Sequence, residues 1–153
     1  MVQMLTDNFP LIVCLLGIVF SVVLSGIGSA KGASMISKAA AALISEQPEK
    51  FGQSLVLQMM SASQGLYGFI IGFLIFTNIG DGLTIEVALQ CLGAGSIMGF
   101  AGYYTAIEQS AAATAGMQIL AKKPEHSTKG VLYSAMIETF AIFAFVVAVL
   151  IIL

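Results

Sequence analysis

Tyr133-Ser-Ala-Met-Ile-Glu138-Thr-Phe-Ala-Ile-Phe143 sets one carboxylate in the middle of an apolar run. From Val131 to Leu153 Glu138 is the only acidic residue, and no lysine or histidine accompanies it. A run of this length spans a bilayer, because ~20 apolar residues rising ~1.5 Å each cover the ~30 Å hydrocarbon core. An ionised glutamate at that depth costs ~2.5–3.5 kcal/mol. It must be neutralised by a proton, a metal ion or a basic partner. Glu138 is therefore the candidate functional residue, against the plainer role of a protonated carboxyl that only hydrogen-bonds between helices.

The whole chain shares this character. Of its 153 residues 58% are hydrophobic and only 9% charged, the composition of an integral membrane protein. The N-terminus lacks a basic region and a small-residue cleavage site, and Asp7 stands where a leader would be positive. The first apolar run is expected to be a retained helix. Cys14 and Cys91 lie in or beside apolar segments at no metal-binding spacing, so both are expected to act as small buried hydrophobes. All six basic residues are lysines and the net charge is −2, which argues against a nucleic-acid partner.

Three prolines punctuate the chain. Pro10 opens the first helix, where its missing N–H costs nothing. Pro48 and Pro124 occupy two similar turns, Gln47-Pro-Glu-Lys50 and Lys123-Pro-Glu-His126, and Asn78-Ile-Gly-Asp-Gly82 reads as a third. Four helices are expected, roughly 9–46, 50–78, 84–122 and 127–153. The first and third, near 38 residues, would reach ~57 Å and project beyond the bilayer.

The second half repeats the first at an offset of 76: Pro48-Glu49 falls on Pro124-Glu125, Gly26 on Gly102, Ser34 on Ser110, Phe69 on Phe145. Matching turns in matching register point to a duplicated helical hairpin, 1–78 and 79–153. The counterpart of Glu138 is Ala62, so only the second hairpin carries the carboxylate. The lysines lie toward the two Pro-Glu turns, whereas Asp7, Asp81 and Glu86 lie at the other level. The positive-inside bias then makes the Pro-Glu turns cytoplasmic and puts both termini outside. Small residues crowd the two long helices, as in Gly28-xxx-Gly32 and Gly95-xxx-Gly99. In lipid such residues let helix backbones approach closely, and their density suits a crowded inner layer in a ring of many copies.

Depth counting brings polar groups together. Ser63 and Gln64 lie 15 and 16 residues past Pro48, Gln109 lies 15 before Pro124, and Glu138 lies 14 after it. With the turns at one level, all four fall ~21–24 Å along their helices. Tyr67 is one turn beyond Ser63 and Gln64 on the same face, placed to hold the carboxylate. One carboxylate, two amide oxygens and a hydroxyl form a hard oxygen set with a single negative charge. That set suits a hard monovalent cation better than zinc or copper. The plainer alternative is that Gln64 and Gln109 only bond between helices.

Gly26-Ile-Gly-Ser-Ala-Lys-Gly32, Gln47-Pro-Glu-Lys-Phe-Gly-Gln53, Gln64-Gly-Leu-Tyr-Gly-Phe69, Gln118-Ile-Leu-Ala-Lys-Lys-Pro-Glu-His126 and Glu138-Thr together resemble the ring-forming proteolipid of bacterial V-type ATPases. Nearly the whole chain is covered, and the sodium-pumping enzymes are the most similar class. The resemblance implies an all-α membrane protein whose four-helix copies form a two-layered rotor ring. A soluble ATPase head turns that ring through a central stalk, and a stator membrane subunit supplies half-channels and an arginine. The subunit would carry Na+, or H+ instead, with no catalytic residue of its own. Residue by residue, Glu138 becomes the ion-binding carboxylate, Ser63 (often Thr in the family) lends a hydroxyl, and Gln64 and Gln109 lend amide oxygens. Met60 stands where a backbone carbonyl ligates the ion, and Tyr67 where a tyrosine bonds the carboxylate.

Glu108 departs from that pattern. A helix neighbour points ~100° away from Gln109, so Glu108 is not expected at the site. Lys31 maps by the repeat onto Ile107, at nearly the depth of Glu108. A Lys31–Glu108 ion pair, within a subunit or across to the next, is the expectation for two charges otherwise costly in a membrane. A small proton-coupled four-helix exporter is the rival class, set against by the long helices, the absence of tryptophan and the C-terminal position of Glu138. A purely structural four-helix protein is set against by the converging polar layer.

Overall fold

A computed structural model of the chain describes residues 8–80 and 83–153. Asp7, Asp81 and Gly82, used above for orientation and for the third turn, lie outside the described residues. Four helices are long and apolar enough to cross a membrane: α1 Phe9–Glu46, α2 Pro48–Thr77, α3 Ile85–Lys122 and α4 Pro124–Ile152. α1 and α3 each run 38 residues, as their lengths in the sequence suggest. Pro10 sits in the first turn of α1, and Thr84 caps α3 by accepting the Val87 amide. Pro48 and Pro124 each open a single 3-10 turn, Pro48–Lys50 and Pro124–His126, before α-helix resumes.

Two irregularities depart from the expected straight helices. Phe20–Leu24 of α1 is wound as a π-turn, of a kind common at functional places in helices. α2, read from the sequence as continuous over 50–78, is interrupted between Phe51–Met59 and Ser63–Thr77. There Met60 and Ala62 close short bonds to the carbonyls of Leu57 and Met59. The hydroxyls of Ser61 and Ser63 bond back to the carbonyls of Gln58 and Met60, at 3.4 and 3.5 Å. Hydroxyls that offer the backbone such local bonds weaken a helix where they cluster.

α3 is the hub. It packs on α1, α2 and α4, and its buried residues run from Ala88 to Leu120. Its contact with α1 is made by glycine: a Cβ on Gly28 would lie 2.6 Å from the Cα of Tyr103, and one on Gly17 2.5 Å from the Cys91 carbonyl oxygen. Against α4 the closest crossing is Gly116 on Gly130, where a Cβ on Gly130 would be 2.7 Å from the Gly116 Cα. Such approaches maximise dispersion contact where lipid offers no hydrophobic drive. The large side chains point outward on α2 and α4, including Leu66, Phe69, Phe73, Met136, Phe140 and Phe143. Cys14 and Cys91 are free and buried, as expected of small hydrophobes.

The spacing of 76 recurs in the hydrogen bonds. Gln58 of α2 donates to the Ala33 carbonyl of α1, and Ser134 of α4 donates to the Gln109 carbonyl of α3. The helix-ending amides Gln47 and Lys123 bond Leu43 and Ile119 in the same register.

Candidate functional site

The break in α2 builds one wall of the site. It starts a fresh helix at Ser63, so that Ser63, Gln64 and Tyr67 stand on its first turns. A new helix start has amides without partners in the preceding turn. Ser29 of α1 takes one of them, accepting the Gly65 amide at 2.8 Å. The break also leaves the Met60 carbonyl without a backbone amide among the described residues; only the Ser63 hydroxyl approaches it.

From there the bonds lead to Glu138. Ser63 has one proton to share between the Met60 carbonyl and the Gln64 side-chain oxygen, the latter 3.3 Å away, and the Gln64 amide nitrogen donates to the side-chain oxygen of Gln109. Gln109 in turn donates to Glu138 Oε2 at 3.4 Å, a long bond, while the Tyr67 hydroxyl donates to Oε1 at 2.8 Å, a close one. Gln64 and Gln109 are fully buried and Glu138 is half-buried. Buried amides without partners are expensive, so in this arrangement the two glutamines satisfy each other and the carboxylate. Gln109 thereby touches the carboxylate directly and Gln64 is joined to it through Gln109. Three helices supply the cluster: α2, α3 and α4.

The structure thus brings together Met60, Ser63, Gln64, Tyr67, Gln109 and Glu138 at one level. Two contributors escaped the sequence. Ser29 holds the start of the second α2 segment, and buried Ser134, one turn before Glu138, ties α4 to the Gln109 carbonyl. Ser29 lies inside the glycine-rich stretch of α1, where it looked like one more small residue. Glu108 is exposed while its neighbour Gln109 is buried, so the two face different ways.

Within the chain the expected Lys31–Glu108 pair is absent. Among the described residues the ion-pair contact is His126 with Glu125, and Lys31 instead donates to the Tyr103 hydroxyl at 2.8 Å. Lys31 also lies 5.1 Å from the Tyr103 ring centre, a cation–π distance. The reason is angular. α3 meets α1 through Tyr103, Ala106 and Ser110, whereas Glu108 lies on an exposed face of α3 turned away from that contact.

Four membrane-length helices around one carboxylate–amide cluster define the class: a small membrane proteolipid with one acid set among buried amides. The chain belongs to the family of the ATP synthase C subunit, whose pattern it matches twice, over residues 16–75 and 92–151. It is 49% identical over 150 residues to the V-type sodium ATPase subunit K of Enterococcus hirae, covering 98% of this chain and 96% of that one. It is 33% identical over 144 residues to the A-type ATP synthase subunit K of Methanocaldococcus jannaschii, 92% of this chain and 62% of that one. To the 16 kDa proteolipid of the V-type proton ATPase of Ovis aries it is 24% identical over 130 residues, 85% of this chain and 84% of that one. Proteins of this family form the membrane rotor ring of rotary ATPases, and this chain is such a ring protein.

Proposed function

We propose that this chain carries sodium ions across the membrane at Glu138, one ion per chain, as its ring is turned by ATP hydrolysis in a soluble head. The observation that carries the proposal is the cluster itself. A freed backbone carbonyl, a serine hydroxyl and two buried glutamine amides are linked in one chain of hydrogen bonds to a carboxylate that a tyrosine also holds. A proton needs only the carboxyl and one acceptor, and leaves the second glutamine and the broken helix without a purpose. A monovalent cation uses all of them and leaves an occupied site with no net charge. In this scheme Met60, Ser63, Gln64, Gln109 and Glu138 are the ion's ligands and Tyr67 orients the carboxylate. The sodium ATPase relative at 49% identity supports the same ion.

The chain is also read as a duplicated hairpin, 1–78 and 79–153, lodged in the cell membrane with the Pro48 and Pro124 turns in the cytoplasm. There those turns meet the central stalk. α1 and α3, joined by glycines, form the inner circle, and α2 and α4, with their outward aromatics, form the outer one. Glu138 then reaches a stator subunit at the ring's outer side. The test is carbodiimide labelling of Glu138 in the purified ring near neutral pH, since the reagent takes protonated carboxyls. Sodium is expected to block labelling, and potassium at equal concentration to leave it. Equal labelling in both salts would overturn sodium and favour the proton.

A further inference from the structure

The chain shows one contact between its two halves and leaves the other face of each half open. In the closed contact Gly32 of α1 packs on Ala106 and Ser110 of α3, and all three residues are buried. Exchanging the halves by the spacing of 76 converts this triad into Glu108 of α3 against Ala30 and Ser34 of α1. Those three residues are exposed in the single chain. The next contact up behaves in the same way. Gly28 packs on Tyr103 inside the chain, and its converted counterpart is Tyr104 against Ile27, both exposed. Gly26, whose counterpart Gly102 packs on Ser25, has open space beside it.

The converted contact cannot copy the closed one atom for atom. Glycines at 28 and 32 become Tyr104 and Glu108, so the two helices must stand apart by about a side chain. Room for this exists. A groove of about 560 Å³ runs along the exposed face of α1, lined by Ala30, Lys31, Ser34, Met35 and Lys38. Ala30 and Ser34, which the spacing opposes to Glu108, lie in its wall, and so do two lysines. The groove is cationic and the side chain aimed at it is anionic. Lys31 spends one of its three protons on Tyr103, which leaves two for an acceptor.

We propose that the α3 face carrying Tyr104 and Glu108 docks on the α1 face carrying Ile27, Ala30 and Ser34 of a second copy of this chain, with the Glu108 carboxylate entering the groove between Lys31 and Lys38. The proposal rests on the ring reading and names the residues by which one copy grips the next. Deep in the membrane a lone charge is costly, and the pairing lets Glu108 offset one of the two lysine charges between copies.

Cross-linking tests it. In the full chain with Cys14→Ala and Cys91→Ala, Glu108→Cys and Ser34→Cys are introduced together, and the purified assembly is treated with a bis-methanethiosulfonate reagent, which oxidises each thiol into a mixed disulfide. Its spacer bridges the side-chain gap between the helices, which is too wide for the Cβ separation of ~3.5–4.5 Å that a direct disulfide needs. The expected result is a ladder of covalent multimers on a denaturing gel. Native mass spectrometry of the same sample reports the assembly before oxidation. A ring-sized mass with only monomer on the gel overturns the docking and leaves the ring standing. A monomeric native mass overturns the ring, and the docking with it. Glu108→Gln in the otherwise native chain addresses the charges: the temperature at which detergent-solubilised ring falls to monomer should drop. Adding Lys31→Gln and Lys38→Gln should lower it no further. An unchanged temperature for Glu108→Gln, or a full additive loss in the combined variant, overturns the ion pair.

Discussion

Replacing Tyr67 by Phe removes one hydroxyl and keeps the ring that packs 5.3 Å from Phe145. The bond lost is the 2.8 Å one to Glu138 Oε1, the better of the two that hold the carboxylate. A hydrogen bond to a charged group contributes ~1.5–3 kcal/mol, which taken whole would weaken sodium binding about ten- to a hundredfold. Most of that cancels. The hydroxyl donates to Glu138 whether the carboxyl holds sodium or a proton, so the strength common to the two states enters both sides of the binding equilibrium. What does not cancel is orientation. Without Tyr67, Glu138 is held only by the 3.4 Å Gln109 bond, and sodium must freeze the side chain itself at ~0.5–1.5 kcal/mol. Tyr67→Phe should therefore weaken sodium protection against carbodiimide about three- to tenfold. Gln109→Ala removes a ligand outright and strands the Gln64 amide, so it should weaken protection more. The assay is a sodium titration of labelling on the purified ring at one fixed pH. An unchanged Tyr67→Phe titration, or a loss exceeding that of Gln109→Ala, would refute this account of the site.

Three further substitutions separate site from scaffold. Ser63→Thr keeps the ligand oxygen and restricts its rotamer, so sodium binding should tighten by at most about threefold, the value of choosing one of three wells; a loss in the same titration would mean that Ser63 does not face the ion. Gly130→Ala sets a methyl 2.7 Å from the Gly116 Cα, and forcing α3 and α4 apart should cost ~1–3 kcal/mol, seen as earlier heat dissociation of the ring. Lys50→Met keeps the stem but removes two 2.9 Å bonds to the Leu120 and Ala121 carbonyls, which end α3. A cation at a helix C-terminus contributes ~0.3–1 kcal/mol, so amide exchange in the last turn of α3 should quicken by up to about fivefold, with sodium binding unchanged.

Much of this was legible because a membrane reduces structure to depth. Helix spans follow from apolar length and from Pro48 and Pro124, and counting from those prolines set Ser63, Gln64, Gln109 and Glu138 at one level. Depth says nothing of azimuth, and there the sequence misled. Lys31 and Glu108 share a level, but Lys31 turns to Tyr103. The interruption of α2 at 60–62 was hidden for a different reason. Ser61 and Ser63 look like ordinary helix residues, and what makes a break tolerable is Ser29, 36 residues away, accepting the freed Gly65 amide. Ser134 has no signature in the sequence, since a lone serine among apolar residues carries no pattern, although its bond to the Gln109 carbonyl helps fix the level of the site.

The same spacing explains why two hairpins hold one acid. Carried through 76 residues, the cluster of Gln64, Tyr67, Gln109 and Glu138 becomes Phe140, Phe143, Ala33 and Ala62. Both glutamines, the tyrosine and the glutamate are replaced by apolar residues, and only Ser63 keeps a hydroxyl at its counterpart Thr139, so the second site is dismantled nearly as a unit and not by one chance loss. That is what burial demands: removing Glu138's counterpart alone would leave buried amides without an acceptor, at ~1–3 kcal/mol each. Phe140 and Phe143 are 64% and 60% exposed in the single chain, as expected if the cluster they replace falls in the proposed contact between copies. In a ring, polar and apolar clusters then alternate around the circle, the first within each chain and the second between chains. With Glu138 as the one ion site we propose, a full turn moves one ion per chain, half of what the same number of hairpins would carry with both sites intact. With the energy of each turn fixed by the head, fewer ions per turn means more energy for each, and a steeper gradient against which the ring can pump.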